Sequence, residues 1–483
     1  LYLFIDFIFF NYMEQIKKRS CTYCKFFLYP GSIFLLLFLL LFNFPVNSQE
    51  KDERKVRQTW NMHRIHDDYL IANSMNAADV NKDGYDDYSI IDEWLGLQTI
   101  VFYPGIGEKS KESWQRVNLG ITNNPEYSCL CDLDSDGNID FVVATGDDLE
   151  KGFRTGISII WGPDKARVMD SIAWNNGGYI PSTLDQQYLY LECHDIDGDG
   201  SQDILAGGRR NAITNEYAGI RWLKAPSSLK LRRNLKEWKS YYIDKDTYSG
   251  HGFVYTDVNQ DGFKDILLAD ADWDTPAFER KLYWYENPGK DKARVYAPWK
   301  QHLIWKNSAF YAKPQVAVGD LNKDGFIDLA TQTQNFVHIF VKKKIHPVEW
   351  DHIKIRKPEM IQWIGRPIKF GDINEDGKLD IVGGLIHNDG NLPSDKASVF
   401  WLEYEVDGPA DQWSFHPIKW SDGYNSYKEW VGEKWDHILL RDVDQDGDLD
   451  VVGNVEEHYH WNSPADKLPQ SYFSVVWFEN PLK

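Results

Sequence analysis

Asp79, Asn81, Asp83 and Asp87 set side-chain oxygens at positions one, three, five and nine of a short segment whose sixth residue is Gly84. Oxygens on alternate residues turn toward one point where the backbone bends tightly, and calcium, a hard cation, takes roughly six to eight of them. Glycine permits the bend. The same skeleton returns at Asp132, Asp134, Asp136 and Asp140, at Asp195, Asp197, Asp199 and Asp203, and at Asp257, Asn259, Asp261 and Asp265. It returns again at Asp320, Asn322, Asp324 and Asp328, at Asp372, Asn374, Asp376 and Asp380, and at Asp442, Asp444, Asp446 and Asp450. A single such segment reads as a solvated turn. Seven in register predict up to one structural calcium ion per copy, held by these residues. No glutamate stands at position twelve, and strand-like sequence flanks each copy, which separates the loops from EF-hands.

The copies start 53, 63, 62, 63, 52 and 70 residues apart, a period that fits one four-stranded blade each. A short apolar run precedes each loop and another follows it, as in Val316–Gly319 and Ile266–Leu268. A third run ends in an aromatic signature, such as Tyr283-Trp284-Tyr285-Glu286-Asn287-Pro288 or Trp477-Phe478-Glu479-Asn480-Pro481. A fourth has the form Trp-x-x-His-x-Ile at Trp299–Ile304, Trp350–Ile355 and Trp413–Ile418. The last copy lacks its fourth run, and the missing piece, Trp60–Ile65, stands ahead of the first copy. The expected fold is therefore all-β: a seven-bladed β-propeller over residues 49–483, with calcium loops on one face and an N-terminal strand completing the last blade, which leaves no open sheet edge.

These loops resemble the calcium-binding repeats of FG-GAP and VCBS propellers over about residues 60–483. That family spans adhesion proteins, lectin-like modules and enzymes, so it implies fold rather than function. The Trp-Phe-Glu-Asn-Pro and Trp-x-x-His elements further resemble the propeller of aldos-2-ulose dehydratase, and the architecture is similar to secreted propeller lyases that cut uronate polysaccharides such as ulvan. Those resemblances imply carbon–oxygen elimination on a sugar acid.

First strands of a propeller line its central channel, so their starts and the ends of the second strands are expected to meet opposite the calcium loops. Counting from the loops brings Tyr188, Arg209, Arg210, His251, Lys313, Arg366, His387 and His437 to that face. Elimination from a uronate needs a cation beside the carboxylate, a base for the proton on carbon 5 and an acid for the group leaving carbon 4. Arg209, Arg210 or Arg366 suit the first role through bidentate pairing, with Lys313 in support. His251 and Tyr188 are the expected base and acid, with His387 and His437 as substitutes. A glycoside hydrolase using Asp270 and Asp272, and a binding module that stacks sugars on Trp94, Trp273, Trp363 and Trp435, stay open beside it. His63, His302, His352 and His416 share the outer-strand slot and read as structural, and no pair of histidines has zinc-enzyme spacing.

A formal charge of −20 argues against a nucleic-acid partner, and the expected partner is an anionic oligosaccharide or polysaccharide taken up by a monomer. Lys17, Lys18 and Arg19 followed by the apolar run Ile33–Phe42 read as a targeting segment within residues 1–48, with the true start possible at Met13; the mature chain is then secreted, with no membrane attachment after removal of the signal. Cys129, Cys131 and Cys193 remain beyond that segment and are expected to be buried thiols.

Overall fold

The computed structural model describes residues 59–66, 72–93, 95–122, 124–146, 155–211, 219–247, 252–271, 280–289, 295–296, 298–306, 315–386, 392–405, 413–421, 430–459 and 473–482. They form seven four-stranded antiparallel sheets, and the helices among them are short 3-10 turns. The chain is an all-β, seven-bladed β-propeller. A second unit, Leu1–Val56 with Trp461–Leu468, lies outside the described residues, and with it the expected signal segment. Among the described residues no helix is long and apolar enough to cross a membrane.

In blades one to six the strands follow chain order from the axis outward; the inner strands are Ala72–Ala78, Pro125–Cys131, Gln186–His194, Val254–Thr256, Ala317–Gly319 and Gly365–Gly371. Blade seven begins with inner strand Trp430–Arg441, and its outer strand is Asn61–His66, which lies antiparallel on Val475–Glu479. Apolar clusters fill the wedges between neighbouring blades. One joins blades two and three through Val142, Ile159, Leu191 and Ile204, and another joins blades seven and one through Val452, Trp477, Ile90 and Val101.

One side chain fastens every blade. The aspartate at loop position nine is buried in all seven copies. One of its oxygens accepts the backbone N–H of loop position two, as in Val80 to Asp87 at 3.0 Å and Val258 to Asp265 at 2.9 Å. The other accepts the N–H at the end of the third strand, as in Tyr103 to Asp87 at 2.9 Å and Asn287 to Asp265 at 2.8 Å. The remaining five copies repeat both bonds. The loop is thereby stitched to the strand beyond it, and N–H groups that the sheet ladder leaves over are satisfied.

The outer-strand histidines have a common setting. His302 stacks on Trp284 with ring centroids 4.2 Å apart and pairs with Glu286 at 2.7 Å, and His416 does the same with Trp401 and Glu403 at 4.2 and 2.8 Å. His63 repeats it on Trp477 and Glu479. In blade five His352 stacks on Phe340 and bonds His338, which stands where the other blades differ.

Candidate functional site

The loops are built by their own side chains. In the first, Asp79 accepts the N–H groups of Asp83 and Gly84, Asn81 accepts that of Asp83, and Asp83 accepts that of Tyr85, at 2.9–3.0 Å. Position four is left-handed, with φ of 56–62° at Lys82, Ser135, Gln260, Lys323, Glu375 and Gln445, and in the third loop it is Gly198 at 72°. Oxygens of Asp132, Asp134 and Asp136 converge within 4.8 Å, as do those of Asp195, Asp197 and Asp199, and of Asp442, Asp444 and Asp450. Asp197 Oδ1, Asp372 Oδ1 and Asp444 Oδ1 are buried with no hydrogen-bond partner. Such orphaned carboxylate oxygens, among converging oxygen donors, fit a hard cation. The position-nine aspartates differ from this expectation in one respect: both of their oxygens already take backbone N–H bonds, so any metal contact there is additional to the stitch.

At the axis, inner-strand residues five before the loops of blades two, three, five and seven come together. His437 of blade seven receives Gln315 Nε2 of blade five on Nδ1 at 3.2 Å, and that amide also donates to the Asp436 carbonyl at 2.8 Å. Tyr127 of blade two lies edge-on to the His437 ring at 5.2 Å, and Tyr190 of blade three touches Tyr127 at 4.4 Å and Phe253 of blade four at 4.8 Å. Arg366 of blade six, fully buried, is paired with Asp436, and Lys434 bridges Asp436 at 3.3 Å and Glu456. Burial, with the cations Arg366, Lys369 and Lys434 close by, drives the His437 imidazole well below its ordinary range and keeps it neutral. A neutral ring that accepts on Nδ1 carries its proton on Nε2, and here that nitrogen is buried.

Three residues before the loops lies a second layer, containing Lys369 and Glu192. Lys369 is half-buried and makes no ion pair among the described residues. Glu192 is occupied on both oxygens, by Tyr190 at 3.1 Å and His194 at 2.7 Å. Exposure along the inner strands rises toward the loops: Asn73, Glu126, Gln315, Arg366 and Asp436 at the starts are buried, while Glu192, His194, Lys369 and Val254–Thr256 are half-exposed. Among the described residues the strand starts hold a buried, internally paired network, and exposure is greater toward the loops; His251, Lys313 and His387, expected at the opposite mouth, lie outside the described residues.

The predicted catalytic residues are thereby separated. Arg366 and His437 come together at the axis, but Arg366 is spent on Asp436. Tyr188 is fully buried in the apolar wedge between blades two and three and does not reach the axis. Strand pairing is irregular on both sides of Tyr188, so the face that the alternation assigns to it belongs to Tyr190 instead. Arg209 stands near the end of the second strand of blade three, Asp203–Asn211, and is half-buried. His251, Lys313 and His387 lie outside the described residues, as do Asp272, Trp94, Trp273 and the side chain of Arg210. Trp435 is wholly buried against Phe473 and Phe478 and cannot stack on a sugar. Asp270 is buried and accepts Tyr283 Oη at 3.1 Å. Sequence reasoning missed Tyr190, Lys369 and Lys434; the two-residue period counted back from each loop is the signal that finds the first two.

The cysteine expectation also changes. Cys131 and Cys193 form a disulfide between the inner strands of blades two and three, and Cys129 alone stays a buried thiol. Neighbouring inner strands come closest at the axis, which brings these two residues within bridging reach.

Residues 257–331 match the model of an FG-GAP-like repeat. The chain is a propeller that carries an FG-GAP-like repeat. Over 173 residues it is 27% identical to integrin alpha-8 of Gallus gallus, a stretch covering 32% of this chain and 14% of that protein's length. Among solved structures, this propeller is similar to BBS1N in complex with ARL6DN, at a TM-score of 0.44 and 11% identity over 84% of this chain and 99% of that one. A protein from Lactobacillus plantarum gives a TM-score of 0.42 at 10% identity over 73% and 86%.

Proposed function

We propose that this propeller, fastened by calcium in its Asp-rich loops, takes up a uronate-containing oligosaccharide at the axis and acts on it as a secreted carbon–oxygen lyase, preferring loss of water from a terminal uronate. The observation that supports it is the axial layer itself. Lys369 is half-buried, makes no ion pair among the described residues and lies on the partly exposed side of the axial network. A carboxylate entering there meets its ammonium in a partly dehydrated channel, where the attraction is stronger than in water.

Neutralising the carboxylate acidifies the proton on carbon 5. His251 is assigned as the base that takes it; the carbon 4–oxygen bond breaks and the departing oxygen takes a proton from the Tyr190 hydroxyl, which burial holds protonated. Water and an unsaturated uronate are the products. The bound calcium supplies rigidity to the loops, through aspartates and asparagines at positions one, three and five.

Ultraviolet absorbance of the unsaturated uronate, followed while the mature protein is incubated with ulvan-type oligosaccharides, tests the reading. Absorbance that rises with the wild type and fails with Lys369→Ala and His251→Ala supports it. Binding with no absorbance change favours a second reading, a non-catalytic glycan- or protein-binding propeller, which the similarity to a stretch of integrin alpha-8 supports.

A further inference from the structure

The seven loops are not electrostatically equal. One step beyond the last ladder pair of the second and third strands, where the second strand begins with the position-nine aspartate, blades four, six and seven carry Glu286, Glu403 and Glu479. In blade six Asn374, at loop position three, donates to Glu403 at 2.9 Å. Blade three has Lys224 at that same register position, opposite Asp203.

The reversal of charge carries the side chain into the loop. Lys224 Nζ lies 2.5 Å from Asp197 and 2.6 Å from Asp199, the ligands at positions three and five, and Ser227 Oγ adds a bond to Asp199 at 2.7 Å. The ammonium is largely shielded from solvent, with 14% of its side chain exposed. An ammonium with three donors and a single positive charge makes the contacts that a metal would make with these carboxylates. Asp197 Oδ1 alone is left over, so calcium would have to displace the ammonium from the oxygens it already holds, and the two cations repel at such range.

We infer that the third loop is closed by Lys224 in place of a metal ion, so that this blade is fastened at any calcium concentration while its neighbours depend on the ion. The inference rests on the calcium reading of the other loops. The second loop differs: Arg233 reaches Asp134 and Asp136, but its side chain is half exposed and can swing into solvent, so it is not included.

Calcium bound per chain, measured by elemental analysis and native mass spectrometry after exhaustive dialysis against calcium buffer, tests it. Lys224→Glu, which restores the acid found in blades four, six and seven, is expected to carry one more ion than the wild type, and Lys224→Met serves as the neutral variant if the first does not fold. Equal counts in wild type and variants, with calcium present in both, overturn the inference and leave the calcium reading standing. A wild type and variants without any calcium overturn both.

Discussion

His63 Nε2 donates to Glu479 Oε2 at 2.8 Å, joining residues 416 positions apart. The same acid accepts Lys111 Nζ at 2.9 Å. His63→Ala is expected to lower the free energy of unfolding by about 1–2 kcal/mol, the range for a part-buried hydrogen bond with an attached ring stack. His302→Ala breaks the equivalent pair inside a continuous blade and should cost less. Urea unfolding of the two variants side by side checks the order.

Asp265 receives two backbone N–H groups that have no other acceptor in the sheet. Asp265→Ala leaves both unsatisfied in a buried setting, a loss of roughly 2–5 kcal/mol, whereas Asp265→Asn retains one acceptor oxygen and should lose about half of that. Equal melting temperatures for wild type and the alanine variant would show that the stitch carries no weight.

Chelation should lower the melting temperature and added calcium restore it, because an ion that binds only the folded chain stabilises it by about 2.7 kcal/mol per site at a hundredfold excess over Kd. Asp444→Asn removes charge beside an orphaned oxygen and should weaken the calcium response without abolishing it. Differential scanning calorimetry in chelator and in calcium measures both effects, and an unchanged transition in metal-free protein would contradict the calcium reading.

Lys357 is buried, with Nζ 3.3 Å from the Trp363 carbonyl, and burial pushes its ammonium down from 10.5 to about 7. Between those values the unfolded chain binds more protons than the folded one, so the stability tied to this group is present above about pH 10.5 and is lost as the pH falls to 7. Lys357→Met should therefore stabilise the protein by about 1–3 kcal/mol near pH 6, with the gain vanishing toward pH 10. Unfolding free energies across that range check the sign.

The loops, the blade period and the strand that crosses from one end of the chain to the last blade were legible because each is a local pattern repeated in register, and repetition outweighs the ambiguity of any single turn. The four outer-strand histidines were legible for the same reason. The axis was read less well. Its residues are chosen by which face of a strand they take, and one irregularity in pairing beside Tyr188 turned the count, burying Tyr188 and exposing Tyr190. Arg366 looked like a free cation because its partner, Asp436, lies 70 residues away, and Lys224 carries no signal in the sequence because its contacts, Asp197 and Asp199, are brought to it by the pairing of the strands.

Among the described residues the strand Asn61–His66 has its sheet partner in Val475–Glu479 alone. Blade seven is therefore completed by a contact between segments more than 400 positions apart, and until they meet both present unpaired backbone N–H and C=O groups, the kind of edge on which chains aggregate.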